Sequence, residues 1–166
     1  MIDEVRKKDC TGCSACLNIC PVNAIRMPSD SEGFQYPRID YDICVRCEAC
    51  TRVCPILSGQ RRTEERLELP EAKAAWSKEH ETRIMSTSGG IFTELATAFL
   101  QDEGYVVGAI YNDSFQVEHF MINSVDELPR LRQSKYVQSD KKDIFRQVKK
   151  KLQAGVRVLF VGAPCE

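Results

Sequence analysis

Two runs of cysteine with identical spacing constrain this chain more than any other feature. Eight of its nine cysteines belong to these runs, and the whole chain has 166 residues. Each run reads C-x-x-C-x-x-C-x-x-x-C and is followed at once by a proline, Pro21 or Pro55. The first run is Cys10, Cys13, Cys16 and Cys20, and the second is Cys44, Cys47, Cys50 and Cys54. A fold that contains this repeat must bring the eight thiols into groups.

The spacing is typical of chains that hold two 4Fe–4S clusters, with eight thiolates as ligands. Three cysteines of a run can wrap around one cube, and the fourth then points to the other cube from the helix that follows. The proline behind the fourth cysteine fixes φ and withholds an N–H, which suits an abrupt end to that helix. We therefore predict one cluster on Cys10, Cys13, Cys16 and Cys54, and another on Cys44, Cys47, Cys50 and Cys20.

Three other interpretations of the cysteines compete with this one. A zinc site prefers two C-x-x-C pairs, which two triplet-plus-one runs fit poorly. Disulfides agree with the even number, but nothing in the sequence marks the chain as secreted. A redox-active C-x-x-C pair needs no triplets. Iron–sulfur clusters are the interpretation that fits the triplet-plus-one spacing of both runs.

Composition is that of an ordinary globular protein, with 43% hydrophobic and 28% charged residues. The formal net charge of −1 gives no reason to expect a nucleic-acid partner. The N-terminus lacks the apolar stretch of a signal peptide, and no run is long enough to span a bilayer. We predict a cytoplasmic location. A predicted strand at 156–161 stands so near the end that we expect an N-terminal fragment of a longer protein.

We predict an α+β fold in which a small module like a bacterial ferredoxin precedes an incomplete α/β layered-sheet domain. Residues 1–58 form the cluster module, 59–70 a charged linker, and 71–166 the second domain. The predicted strands are 24–27, 36–40, 72–77, 105–111, 115–122 and 156–161, and the predicted helices are 90–102, a short one from Ser124, and 141–153 capped by Asp140.

Two segments of the second domain are candidates for binding a cofactor. Ser88, Gly89 and Gly90 precede an amphipathic helix, where small residues let a phosphate approach backbone N–H groups; a flexible cap is the alternative. Lys135 can offset a phosphate or flavin anion and Tyr136 can stack on a ring; a solvated connector is the alternative. Cys165 reads as packing, and His119 as a surface residue of its strand.

Three motifs of the second domain, taken in order, resemble the coenzyme F420 hydrogenase/dehydrogenase beta-subunit family. They are S-G-G-I-F at 88–92, S-K-Y-V-Q-S at 134–139 and V-L-F-V-G-A-P-C at 158–165. Many bacterial members look like this chain, with a two-cluster module ahead of the flavin domain. The sequence departs from the family pattern at Gln133, often Gly, and at Glu166, commonly Gln.

The resemblance implies an oxidoreductase that contains FAD and relays electrons between the clusters, the flavin and coenzyme F420 or another acceptor. By position, Ser88, Gly89, Gly90, Lys135 and Tyr136 would lie at the flavin, and Cys165 matches a family cysteine that can ligate a further cluster. No catalytic residue is identified. Partner redox proteins or subunits are expected. The alternatives are an electron carrier whose second domain only docks partners, and a cluster-stabilised scaffold.

Overall fold

The computed structural model describes residues 1–58 and 71–165. The chain divides into two units, and each is described by itself. Among the described residues, the first unit contains 1–58, 141–146 and 163–165, and the second contains 71–140 and 147–162. Helices and short sheets are mixed in the chain, which confirms the α+β class. The predicted linker at 59–70 lies outside the described residues, and the predicted domain boundaries stay a prediction.

The first unit is built from two short helices and a two-stranded sheet. Helices α1 (Ala15–Ile19) and α2 (Ala49–Val53) contain equivalent parts of the two cysteine runs and pack against each other. Strands β1 (Ile25–Arg26) and β2 (Arg38–Ile39) pair antiparallel, with Ile25 opposite Ile39. Both strands predicted here are confirmed, although each is only two residues long. Two single 3₁₀ turns, Ile2–Glu4 and Lys7–Asp9, precede α1.

Cysteine side chains make up much of the core of the first unit. The buried residues of this core are Ile2, Cys16, Ile25, Cys50 and Cys54. Leu17, Met27 and Ile39 pack against them at the edge. A module this small buries little aliphatic surface, so whatever the thiols bind contributes directly to its stability.

The second unit places helices beside a three-stranded sheet. Its elements are α3 (His80–Ile84), α4 (Ile91–Gln101), β3 (Tyr105–Tyr111), β4 (Val117–Ile122), a 3₁₀ helix (Val125–Leu131) and β5 (Val158–Phe160). Helix α5 (Ile144–Gln153) contributes residues to both units. None of the helices in the described parts of the chain is long and apolar enough to cross a membrane.

Strand β3 is the centre of this sheet. It pairs antiparallel with β4 in a hairpin and parallel with β5, which gives the order β4-β3-β5. The side chain of Asn112 closes the hairpin by accepting hydrogen bonds from the N–H groups of Ser114 and Gln116, both at 3.0 Å. The strands predicted at 105–111 and 115–122 are confirmed, and the strand predicted at 156–161 is confirmed over 158–160. The buried core residues are Ala96, Leu100, Val106, Ile110, Ile122, Leu128 and Leu131.

Two predictions of helix ends are confirmed in the second unit. Gly104 follows α4 and donates its N–H to Phe99 O at 2.8 Å, and a Cβ at Gly104 would lie 2.6 Å from that oxygen. The helix predicted from Ser124 is a 3₁₀ helix, and Ser124 Oγ accepts the N–H of Asp126 at 3.3 Å. Pro129 lies inside this 3₁₀ helix.

The strand predicted at 72–77 is wrong. These residues have no regular structure, and Ser77 instead donates its N–H to Gly89 O at 2.7 Å. Ser77 is buried, its hydroxyl hydrogen-bonds Glu94, and its Oγ accepts the N–H of Glu79 at 3.0 Å. Ser77 therefore bonds to the loop before α4 and to Glu94 of α4, and not to a neighbouring strand.

Two details of the predicted helices are also wrong. The sequence predicts an apolar face of α4 formed by Ile91, Leu95 and Phe99, but Leu95 is exposed and the buried residues of this helix are Thr93, Ala96 and Leu100. Helix α5 begins at Ile144 and not at 141, because Asp140 is used as an extension of the sheet. Asp140 accepts the N–H of His119 at 2.9 Å and donates its own N–H to Val117 O at 2.9 Å.

Candidate metal centres and cofactor segment

The first unit contains two cavities that are each lined by four cysteines. The first cavity is lined by Cys10, Cys13, Cys16 and Cys54 and has a volume of about 310 Å³. The second cavity is lined by Cys20, Cys44, Cys47 and Cys50 and has a volume of about 340 Å³. Both volumes include space that is open to solvent. The fourth cysteine of each run thus lies with the first three of the other run.

The crossing follows from the way each short helix ends. Cys16 lies within α1, whereas Cys20 directly follows it in extended backbone with φ −64° and ψ 117°. Cys54 has nearly the same backbone after α2, with φ −66° and ψ 120°. The sequence placed these fourth cysteines on the helices, and this detail is wrong. Leaving the helix turns the chain, so the fourth thiol points away from the cavity of its own run.

The loops around the two cavities repeat one backbone conformation. Gly12 has φ +65° and Ser14 has φ +62° in the first loop, and Arg46 with φ +54° and Glu48 with φ +59° take the same places in the second. Left-handed residues in such a loop direct successive N–H groups to one side and form an anion-binding concavity. Sequence reasoning missed this, because only Gly12 is a residue that favours positive φ.

Two thiols of the first cavity, those of Cys10 and Cys16, disfavour the charged state because burial desolvates them. Burial raises the pKa of Cys16 to about 12, and the neighbouring Cys13, Cys10 and Cys54 add to this rise. Burial likewise raises the pKa of Cys10. Bound iron would displace these protons and offset part of the negative charge of the four thiolates. This donor set, gathered on a cavity with backbone N–H groups nearby, fits a 4Fe–4S cluster.

The arrangement differs from that of a site for one metal ion. Within residues 1–58 and 71–165, no three His, Cys, Asp or Glu side chains form a group that could hold a single ion. The sulfurs instead surround a space. Cys165 is half-buried and is not among the residues that line either cavity. That the eight cysteines ligate iron stays a prediction.

The Ser88–Gly90 segment is a bend directly before α4. A Cβ on Gly89 would lie 2.6 Å from Ala75 O, and a Cβ on Gly90, which has φ +80°, would lie 3.0 Å from Thr82 Cγ2. Both glycines therefore have a packing reason, while Ser88 is exposed. Helix α4 has no side-chain cap, so no side chain satisfies the first N–H groups of this helix.

Lys135 and Tyr136 lie in the connector after the 3₁₀ helix. Lys135 Nζ donates to the carbonyl oxygens of Arg132 at 2.6 Å, Gln133 at 3.2 Å and Arg130 at 3.3 Å. Burial lowers the pKa of Lys135. The Tyr136 side chain is 92% exposed. The contacts given above for Lys135 include no residue of the Ser88–Gly90 segment, and those for Gly89 and Gly90 include neither Lys135 nor Tyr136.

His119 is buried, so its predicted place on the surface is wrong. Its Nδ1 lies 2.8 Å from Ser139 Oγ, and its ring stacks on Phe160 with centroids 5.4 Å apart. The alternation of β4 puts His119 on the same side as Val117, which is also buried. The sequence analysis predicted a surface position for His119 because histidine is polar.

Arg146 is a further residue that sequence reasoning missed. Its guanidinium donates to the carbonyl oxygens of Leu17, Asn18 and Cys20, all within the first unit. No local pattern signals this contact, because Arg146 stands more than a hundred residues after the cysteines of the first run.

Comparison with known families gives three matches. Residues 9–57 and the overlapping residues 36–90 each match a family described as a 4Fe-4S dicluster domain. Residues 72–144 match the family described as coenzyme F420 hydrogenase/dehydrogenase, beta subunit N-term. No curated protein matches the chain. Residues 9–57 are therefore similar to a 4Fe–4S dicluster domain, and residues 72–144 are similar to the N-terminal part of the coenzyme F420 hydrogenase/dehydrogenase beta subunit.

Proposed function

We propose that this chain is an iron–sulfur flavoprotein oxidoreductase that relays electrons between two 4Fe–4S clusters and FAD, and then to coenzyme F420 or another acceptor. The observation that carries the proposal is the pair of four-cysteine cavities in one small unit. The beta-subunit match in the residues that follow adds the oxidoreductase class. Partner redox subunits would supply or remove the electrons.

The ligand sets of the clusters are part of this proposal. Cys10, Cys13, Cys16 and Cys54 hold one cluster, and Cys20, Cys44, Cys47 and Cys50 hold the other. Clusters transfer single electrons, and a bound flavin supplies the step that gathers two of them for hydride transfer. Close packing of α1 against α2 supports a short path between the two cavities.

The proposed flavin segment contains Ser88, Gly89, Gly90, Lys135 and Tyr136. The start of α4 supports a phosphate position, because an uncapped helix N-terminus attracts an anion. Tyr136 offers an exposed ring face for stacking. Lys135 contributes a cation held in place by three carbonyl oxygens.

The test is cofactor analysis of full-length protein purified under argon. We expect released FAD and iron with inorganic sulfide in the same sample. Tyr136→Ala should lower the FAD retained per chain without changing the iron content. The matched control is Phe115→Ala, since Phe115 is an aromatic side chain with 88% exposure at the hairpin turn. Absence of flavin from protein that keeps its iron would refute the flavoprotein proposal.

The second candidate function is an electron carrier whose other domain docks partners. It is favoured by the exposure of Cys47 and by the exposed apolar side chain of Val45, both at the second cavity. Such a rim suits contact with another redox protein. Rapid reduction that reaches the clusters but never a flavin would favour the carrier over the flavoenzyme.

A further inference from the structure

The two cysteine runs are equivalent in sequence, but the surroundings of their fourth cysteines differ. Cys20 and Cys54 have the same position after α1 and α2 and nearly the same backbone angles. The chain therefore contains its own internal comparison. Any difference in the contacts of these two residues acts on one cavity and not on the other.

The backbone carbonyl of Cys20 accepts a hydrogen bond from a cation. Arg146 Nη2 donates to Cys20 O at 2.9 Å and to Leu17 O at 3.0 Å, and Arg146 Nε donates to Asn18 O at 2.6 Å. Arg146 Nη1 also donates to Asn23 Oδ1 at 2.7 Å. The guanidinium thus binds carbonyl groups at the C-terminal end of α1, where a helix favours positive charge.

The carbonyl of Cys54 is instead capped by a neutral residue. Ser58 donates its N–H to Cys54 O at 2.8 Å and its hydroxyl to the same oxygen at 2.6 Å. Two neutral donors at Cys54 therefore replace the guanidinium found at Cys20.

The sulfur atoms of Cys20 and Cys54 also differ in the hydrogen bonds that they accept. Ala24 donates its N–H to Cys20 Sγ at 3.2 Å. Ser58, which stands four positions after Cys54 as Ala24 stands four after Cys20, gives its N–H to the Cys54 carbonyl. Hydrogen bonds to ligand sulfurs, nearby charge and solvent exposure all set the potential of a cluster.

Solvent exposure adds to this difference, whereas the charged side chains at the second cavity offset each other. Cys13, Cys16 and Cys54 of the first cavity are buried, whereas Cys47 of the second is exposed. The charged residues that line the second cavity, Arg46 and Glu48, have opposite signs. Reduction makes a cluster more negative, and that charge is better tolerated beside a cation and near water.

We propose that Arg146 is a positioning residue that holds the Cys20 ligand and raises the reduction potential of the second-cavity cluster above that of the first. A single electron that enters the pair then resides mainly at the second cavity, beside its exposed rim. This inference rests on the cluster ligation proposed above, and it needs no flavin.

The experiment is a potentiometric titration of the full-length protein under argon, followed by electron paramagnetic resonance. Residual signals in Cys44→Ala and Cys10→Ala assign the two clusters, because each variant removes a ligand of one cavity. In Arg146→Gln we expect the potential of the second-cavity cluster to become more negative while the first stays unchanged. Lys149→Gln is the control, since it removes one exposed positive charge from the same helix.

A second variant separates charge from geometry. Arg146→Lys keeps the cation but loses the planar fork that reaches three carbonyls. We expect its potentials to stay near the wild-type values, with iron of the second cavity released to a chelator about tenfold faster, the effect of one lost charge-assisted hydrogen bond. This variant also tests the proposal if Arg146→Gln does not fold.

The outcomes separate this inference from the proposed function. Wild-type protein without iron and sulfide would refute the ligation itself. If the wild-type protein holds two clusters, either of two results would overturn the role of Arg146. One is an unchanged second-cavity potential in Arg146→Gln, and the other is an equal shift of that potential in Lys149→Gln. Equal chelator rates in Arg146→Lys and wild type would overturn its positioning of Cys20.

Discussion

Substitution of one fourth cysteine should remove the cluster of the other run. Cys20 lines the second cavity with the three leading cysteines of its opposite run. Cys20→Ala should therefore abolish the second-cavity cluster and lower the iron content from about eight to about four atoms per chain. Cys54→Ala should cause an equal loss at the first cavity, since Cys54 lines that space.

The loss of packing in these variants is small compared with the loss of ligation. A thiol is about as large as a methylene group, whose burial contributes roughly 0.8 kcal/mol. Cys20 is only half-buried, so the direct effect on the free energy of unfolding should be no more than about 1 kcal/mol. A halved iron content would therefore report the missing ligand.

The assay compares the cluster that remains in four variants. If the ligands cross, Cys20→Ala and Cys44→Ala leave the same cluster, with one signal and one reduction potential. Cys54→Ala and Cys10→Ala then leave the other. A residual signal in Cys20→Ala that matches Cys10→Ala would refute the crossed arrangement, because it would mean that each run holds its own cluster.

Two further predictions concern the second unit. Gly89→Ala should lower the free energy of unfolding by about 1–3 kcal/mol, because its Cβ would lie 2.6 Å from Ala75 O. The control Ser88→Ala, at an exposed neighbour, should change this free energy by less than about 0.5 kcal/mol. Denaturant unfolding of the full chain measures both, and equal effects would contradict the packing role of Gly89. Leu128→Ala should lower the free energy of unfolding by about 2–5 kcal/mol, because this side chain is 1% exposed. Leu152→Ala, at 56% exposure, is the control, and an equal loss in this variant would show that burial does not decide the effect.

Local chemistry made much of the fold predictable. The β3–β4 hairpin follows from two strand-forming segments on either side of an Asn112 turn, and its register needs no distant partner. Helix α4 likewise begins at Gly90 and ends before Gly104, where backbone and steric limits act within a few residues. The grouping of the eight thiols could be proposed from spacing, since the fourth cysteine of such a run ligates the other of two clusters.

Long-range contacts decided the remaining features, and no local pattern contains them. The segment 72–77 was predicted as a strand, but Ser77 bonds to Gly89 in a loop and not to a neighbouring strand. Asp140 has the chemistry of a helix cap, yet it extends the edge of β4. His119 is polar, but the sheet buries it beside Ser139 and Phe160. In each case the partner lies at least twelve residues away, so propensity could not identify it.

The amino-acid sequence determined that this chain gathers two sets of four thiols, because cysteines separated by two or three residues stay close together in any fold of the chain. Only the tertiary structure made the two sets different. A guanidinium reaches the end of α1 and a serine reaches the end of α2, and these contacts join residues whose separation in the chain gives no sign of them. Electrostatic energy depends on distance in space, so the contrast between two equal motifs arises from folding.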